Sequence, residues 1–398
     1  MLKLFFQSFV TIWTLWFFLV SFGWAQVEFT AELTGTQEVP PNPGLAGKGV
    51  GTFTLTGQEL AFKVTIDGLT GPITDAHFHN APPGVDGGIV RTIKGDFVGN
   101  TASGIWKSSD PEPLTQALIG ELLAGRLYVN IHTAIFSGGE IRGQLGPATL
   151  VSAILPSSRS ILVGNTATAF ATTINAGSTM ATGCGISVLT SIAASFSYQA
   201  TGPANQPVAN PNTPVDIGPG AAQSFVISLT PMAAIAPTDV QFIFDCNNTN
   251  PAPINVGLNT LLFSASATAV PDIVALAATA TNDGIVNIPG TNGTGAFSVA
   301  TVNVGAGGTI IASADTGSAS LPVNISLCQT NPATGQCISA IGSTVTTQIN
   351  ANATPTFGIF VQGNANVPFD PAANRIFVRF KDGGGVTRGS TSVAVRTQ

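Results

Sequence analysis

The feature that most restricts what this chain can fold into is alternation. Oily and polar residues change places with a period of two through short runs, and Gly, Pro or Asn ends each run. Val27, Phe29, Ala31 and Leu33 alternate with Glu28, Thr30, Glu32 and Thr34. Leu60, Phe62, Val64 and Ile66 do the same, as do Leu127, Val129 and Ile131. Extended backbone sends successive side chains to opposite faces, so each run predicts a strand with one buried face. Ile141 and Leu145 flank Gly143 opposite Glu140, Arg142 and Gln144, and read the same way. On this reading Glu140 and Arg142 form a surface pair with nearby strands. Only Leu114–Leu123 has the look of a short helix or a loop. The 45 glycines and 26 prolines sit between apolar runs, where sandwiches and barrels place their turns. The expected fold class is all-β.

Composition shifts near Gly146-Pro147. Before it lie all three His, every Glu and every Lys except Lys381; after it the chain is Ala, Thr, Ser, Asn, Gly and Val with sparse Asp and Arg. Short apolar runs then recur, with a second break near Val270-Pro271. The expected division is a signal peptide at 1–25, a first domain at 26–147, and two β-sandwiches at 148–269 and 270–398. Lys381-Asp382-Gly383-Gly384 is a turn signal joining Ile376, Val378 and Phe380 to Val393 and Val395 in a terminal hairpin.

The first residues predict export. Lys3 precedes a mostly apolar run from Leu4 to Val20, and Gly23 and Ala25 place small residues where a signal peptidase cuts, before Gln26. No later stretch approaches the length of a spanning helix, so no integral membrane span is expected after cleavage. The expected location is secreted, cell surface or periplasmic. Four cysteines, Cys184, Cys246, Cys328 and Cys337, fit an oxidising compartment. Of three connectivities, Cys184–Cys246 and Cys328–Cys337 keep each pair within one module. The first could join two strands across a sandwich, and the second would close a small loop at a hairpin tip. With a net charge of −6 and no basic cluster, the chain lacks the footprint of a nucleic-acid binder.

Residues 27–145 also carry a set of motifs in order. Leu33-Thr34-Gly35-Thr36-Gln37-Glu38-Val39-Pro40-Pro41 opens it. Ala76-His77-Phe78-His79-Asn80-Ala81 and Gly87-Gly88-Ile89-Val90 follow. Leu123-x-Gly125-Arg126-Leu127-Tyr128-Val129-Asn130-Ile131-His132-Thr133 and Gly138-Gly139-Glu140-Ile141-Arg142-Gly143-Gln144-Leu145 close it. This stretch resembles the CHRD (chordin) domain. The resemblance implies a β-rich extracellular domain, a barrel or sandwich, but not growth-factor capture, because the cysteine-rich modules that perform it in chordins have no counterpart here. Residues 148–398 resemble bacterial immunoglobulin-like repeats by strand rhythm.

One constellation could carry chemistry. All three histidines, His77, His79 and His132, fall in the first domain. His77 and His79 share a strand face opposite Ala76 and Phe78, and His132 lies opposite the Leu127/Val129/Ile131 face. If the strands are neighbours, one polar, solvent-facing surface carries three imidazoles. Neutral imidazole suits Zn²⁺ or Cu²⁺, and three such ligands leave a fourth position open. The His-x-His strand is similar to the copper-ligand strand of Cu/Zn superoxide dismutases, but the remaining dismutase ligands have no counterpart. The plainer reading is that each His bonds a carbonyl or carboxylate and shapes the Asn80–Gly88 loop. No catalytic motif of a hydrolase, zincin or P-loop enzyme occurs, so no enzyme is expected. The sequence therefore predicts a non-enzymatic binding or display module for an unknown extracellular protein or polysaccharide. The alternative is a Cu- or Zn-binding protein using the three histidines.

Overall fold

The computed structural model describes residues 26–398. The expected signal peptide, residues 1–25, lies outside them. Among the described residues the regular secondary structure is almost wholly strand, and no helix is long and apolar enough to cross a membrane.

The alternating runs become one ten-stranded sheet. Its strands are β1 (Gln26–Thr34), β2 (Lys48–Thr56), β3 (Glu59–Asp67), β4 (Ile73–Asn80), β5 (Gly88–Thr92), β6 (Phe97–Val98), β7 (Thr101–Lys107), β8 (Leu127–Thr133), β9 (Ile141–Gln144) and β10 (Gly146–Pro147). The spatial order is β5-β4-β8-β9-β1-β2-β3-β7-β6, with β10 beside β1. In a flat sheet the five steps from β4 to β3 would span roughly 24 Å. Instead the rings of Phe78 on β4 and Phe62 on β3 lie 5.5 Å apart, centre to centre. The sheet is therefore curled over its own apolar face. Phe29, Phe62, Val129 and Ile141 share that interior with Phe53, Phe78 and Trp106. The stretch left open between helix and loop is helix α1 (Gln116–Leu123). Thr115 caps it by accepting from Leu118 N at 3.2 Å, and Ile119 and Leu122 are buried in the same core. Gly125, with φ of 67°, turns the chain out of the helix and into β8.

Two β-sandwiches follow, and they repeat one topology. In the first, a sheet of 150–155, 167–175, 222–231 and 194–200, in that spatial order, faces a sheet of 158–162, 260–266, 235–245, 181–188 and 215–217. In the second, 273–279, 294–303, 356–363 and 323–330 face 285–288, 387–397, 375–382, 308–315 and 344–349. Each contains one parallel pair, 158–162 with 260–266 and 285–288 with 394–397. The terminal hairpin pairs Ile376 with Val393, in the place the turn signal predicts.

Both expected disulfides are present. The first departs from expectation in placement. Gly185 pairs with Asp245 on neighbouring strands, so Cys184 and Cys246 link adjacent strands of one sheet rather than two facing sheets. The second closes a nine-residue separation beside the Thr330–Cys337 bridge.

The units are tied to one another by side chains. Val50 packs with Leu189 and Ile243, Lys48 donates to Val188 O, and Asp67 accepts from Ser191 N at 2.9 Å. At the second joint Asp272 is fully enclosed. Its Oδ2 takes Arg159 Nε and Nη2 at 3.0 and 2.8 Å, and its Oδ1 takes Ser160 N at 2.9 Å. Ser157 and Ser158 donate to Ser390 O across the same boundary. Breaking a buried pair strands the surviving charge, at a cost of about 3 kcal/mol. Asp272→Ala is therefore expected to lower the denaturation midpoint and expose the 266–273 linker to limited proteolysis. Unchanged cleavage kinetics would show that the pair does not fix the joint.

Candidate metal centre

The pairing of β4 with β8 builds the site. Ala76 and Phe78 project into the core and are fully buried, which turns His77 and His79 to the opposite face. On β8, Val129 and Ile131 project inward and Tyr128, Asn130 and His132 outward. The register sets Asp75 opposite His132, His77 opposite Asn130, and His79 opposite Tyr128. The three histidines thus come together, as the sequence suggests.

They do not face water, however. His77, His79 and His132 are only 6, 8 and 9% exposed. The loops after each strand, Asn80–Gly88 and Thr133–Glu140, fold over that face. Alternation sorts residues between two faces but says nothing of what later covers one of them. Glu140 and Arg142 depart from expectation in the same way. Glu140 is buried and accepts from Thr70 N at 2.7 Å, and from the Thr70 and Thr133 hydroxyls at 2.6 Å each. It ties loops together and is not paired with Arg142.

Each imidazole is anchored through one nitrogen. His79 Nδ1 lies 2.9 Å from Gly87 O, His132 Nδ1 3.0 Å from Ser137 O, and His77 Nε2 3.0 Å from Asp75 Oδ1. A carbonyl or carboxylate oxygen only accepts, so the nitrogen facing it carries the proton. In the neutral ring the other nitrogen then bears a lone pair. Those nitrogens are His77 Nδ1, His79 Nε2 and His132 Nε2. His77 Nδ1 and His132 Nε2 face each other at 3.2 Å. His79 Nε2 is buried with no partner. One ligand atom from each ring lies within 4.8 Å of the others. Two lone pairs at hydrogen-bond distance repel unless a proton or a cation sits between them. Anchoring the outer nitrogen to fix the tautomer of the inner one is how metal-binding histidines are held. The plainer sequence reading, in which each His bonds a carbonyl or carboxylate, matches these three anchors, which leave the second nitrogen of each ring turned inward.

Gly87 is essential to it. Its N–H donates to the Tyr128 hydroxyl at 3.0 Å while its carbonyl holds His79. A Cβ there would fall 2.1 Å from Asn80 O, so no side chain fits without moving the loop. Tyr128 stacks on His79 with ring centres 4.8 Å apart and planes 7° from parallel. Arg142 places its guanidinium carbon 3.5 Å from the Tyr128 ring centre. This arginine is 1% exposed, and its hydrogen bonds to Asp86, Pro82 O and Gln144 are long, 3.3–3.4 Å. Glu38 accepts from Asn130 Nδ2 at 3.3 Å, and its other oxygen and Asn130 Oδ1 are buried without partners. Burial raises the Glu38 carboxyl to about 7, against the pull of Arg142. The burial of Glu38, Asn130 and Arg142 is not foreseen from sequence. The signal available was the glycine-rich stretch after each histidine strand, which lets loops close tightly over it.

Burial lowers the His79 and His132 imidazoles below the ordinary histidine value. Their loop carbonyls oppose that shift, and the neighbouring histidines reinforce it.

The curled sheet, the short helix packed on its core and the buried three-imidazole cluster make up an all-β first domain. Residues 29–145 match the family model of the CHRD domain, which covers that sheet and helix. No curated protein matches the chain. Among solved structures, the N-terminal domain of PorA is 11% identical over 31% of this chain and 97% of its own, with a TM-score of 0.20. The secreted serine protease VesC from Vibrio cholerae is 10% identical over 86% of this chain and 70% of its own, with a TM-score of 0.21. Likeness that slight carries no argument for fold or activity.

The lowered histidines make a pH prediction. Because the folded state binds their protons less readily than the unfolded chain, they contribute stability that is present above about pH 6.5 and lost as pH falls through their folded values. Glu38, raised in the fold, works in the opposite sense, its contribution fading as pH climbs from its unfolded value toward about 7. Hydrogen exchange of peptides spanning 75–80 and 127–133 separates the two. The protection gap between wild type and His79→Gln is expected to shrink from pH 7 to pH 5. A gap independent of pH contradicts this assignment.

Proposed function

We propose that this protein is a non-enzymatic extracytoplasmic module whose first domain binds a copper or zinc ion through His77, His79 and His132. The observation that carries this reading is the set of three buried lone-pair nitrogens, each fixed by an anchor on the far side of its ring. Nitrogen donors suit first-row transition ions, whereas calcium and magnesium call for oxygen. The CHRD match supports a binding role, and the two disulfides suit a secreted, cell-surface or periplasmic location. The two sandwiches are read as immunoglobulin-like spacers that present the first domain to an extracellular protein or polysaccharide.

The test uses residues 26–398, dialysed against equal copper or zinc and assayed for metal per chain. One ion per chain is expected. The His77→Ala/His79→Ala double variant should lose it, with affinity down at least about 100-fold. Equal retention by the variant rejects the site. Gly87→Ala leaves all three ligands in place but displaces the carbonyl that orients His79. It is expected to weaken binding about 10-fold, as loss of an outer-shell partner does. An unchanged dissociation constant would mean that Gly87 is not needed to orient the ring.

A further inference from the structure

We propose that the ion is monovalent copper, selected over zinc and cupric ion by the charge of the pocket. This inference rests on the three-histidine centre above and names its occupant. Among the described residues the ligand set holds no carboxylate and no thiolate; all three donors are imidazoles, each with one ring nitrogen turned to an acceptor, Asp75, Gly87 O or Ser137 O. The ion's charge must therefore be matched from outside the ligand set.

Few charges lie close enough to do so. Asp75 bonds directly to the back of His77. Arg142 acts on His79 as a repelling positive charge, with Asp86 as its partner at 3.4 Å. Glu38 faces Asn130 and Arg142 instead. Asp86 is mostly exposed and offsets the buried Arg142 only in part, so the one carboxylate bonded to the cluster, Asp75, is left for the ion. A monovalent ion with Asp75 sums to zero. A divalent ion leaves one uncompensated positive charge in a pocket whose ligands are at most 9% exposed. The cost of burying an ion grows with the square of its charge, so the divalent ion starts with about a fourfold larger desolvation penalty.

Coordination number argues the same way. Zinc prefers four donors, and its fourth would have to come from solvent beneath the two covering loops. Cuprous ion, with a filled d shell and one charge, is satisfied by three neutral donors. Three nitrogens in a plane at about 2.0 Å from a metal lie roughly 3.5 Å apart. The His77–His132 pair is already at 3.2 Å. Bringing the third nitrogen to the same spacing requires closing by at most about 1.3 Å from the 4.8 Å limit, within reach of ring rotation.

Preference for cuprous ion must be separated from the general rule that copper outbinds zinc at nitrogen sites. The discriminating quantity is therefore Cu(I) against Cu(II) in the same pocket. Residues 26–398 would be titrated anaerobically with the Cu(I)–bicinchoninate complex, and separately with Zn(II) and Cu(II) against chromophoric chelators. The reduction potential of the bound copper would also be recorded. We expect one Cu(I) per chain, held at least about 100-fold more tightly than Zn(II), and a potential above that of aqueous copper. X-ray absorption should give three nitrogen neighbours at about 2.0 Å. Asp75→Asn, which removes the balancing charge, should weaken Cu(I) about 10-fold and Zn(II) by more, widening the margin between them, because the lost attraction scales with the charge of the ion. Zinc or cupric ion bound as tightly as cuprous, yet lost in His77→Ala/His79→Ala, overturns the copper assignment and leaves the histidine centre standing. No ion bound by wild type overturns both.

Discussion

The register between β4 and β8 is the constraint on which the rest of the first domain depends. It places Phe78 beside Val129 in the core and, on the other side of the same two strands, His77 and His79 beside Asn130 and Tyr128. A slip of one residue would exchange the faces, sending two imidazoles into the aromatic core and Phe78 into the polar cluster. The apolar packing that stabilises the domain therefore also sets the spacing of the site. Core and site are not separate achievements of this fold but two faces of one ladder.

Over that ladder lies a polar layer which is nearly as dry as the core. Glu38, Asn130, Arg142 and Glu140 are all enclosed there, along with the three histidines. Such a layer is costly unless its hydrogen bonds are met, and most are, by Thr70, Thr133, Gln144 and loop carbonyls. The exceptions cluster: Glu38 Oε1, Asn130 Oδ1 and His79 Nε2 lack partners on this one face. Unmet polar atoms gathered in a well-packed region point to function more readily than those scattered along loops.

Much of this was legible in the sequence. Period-two runs identified the strands, and the shared interior of Phe29, Phe62, Val129 and Ile141 follows from them. The parity of residue positions put His77, His79 and His132 on one face. What parity could not give was depth. Arg142 reads as surface because its neighbours on the strand are polar, yet Tyr128 and the Asn80–Gly88 loop enclose it. Nor could cysteine spacing tell a link within a sheet from one between sheets. That difference depends on the Gly185–Asp245 pairing, which is set across sixty residues of intervening chain.

Two of the three anchors behind the histidines, Gly87 O and Ser137 O, belong to the main chain. A carbonyl cannot be deleted by exchanging a side chain, so the poise of His132 is insulated from exchange of Ser137, whereas His79 depends on position 87 staying glycine. His77 alone leans on a replaceable group, the half-exposed Asp75. Drift or deliberate engineering at that one position could adjust the electronic character of the cluster while the main-chain anchors of the other two rings stay in place.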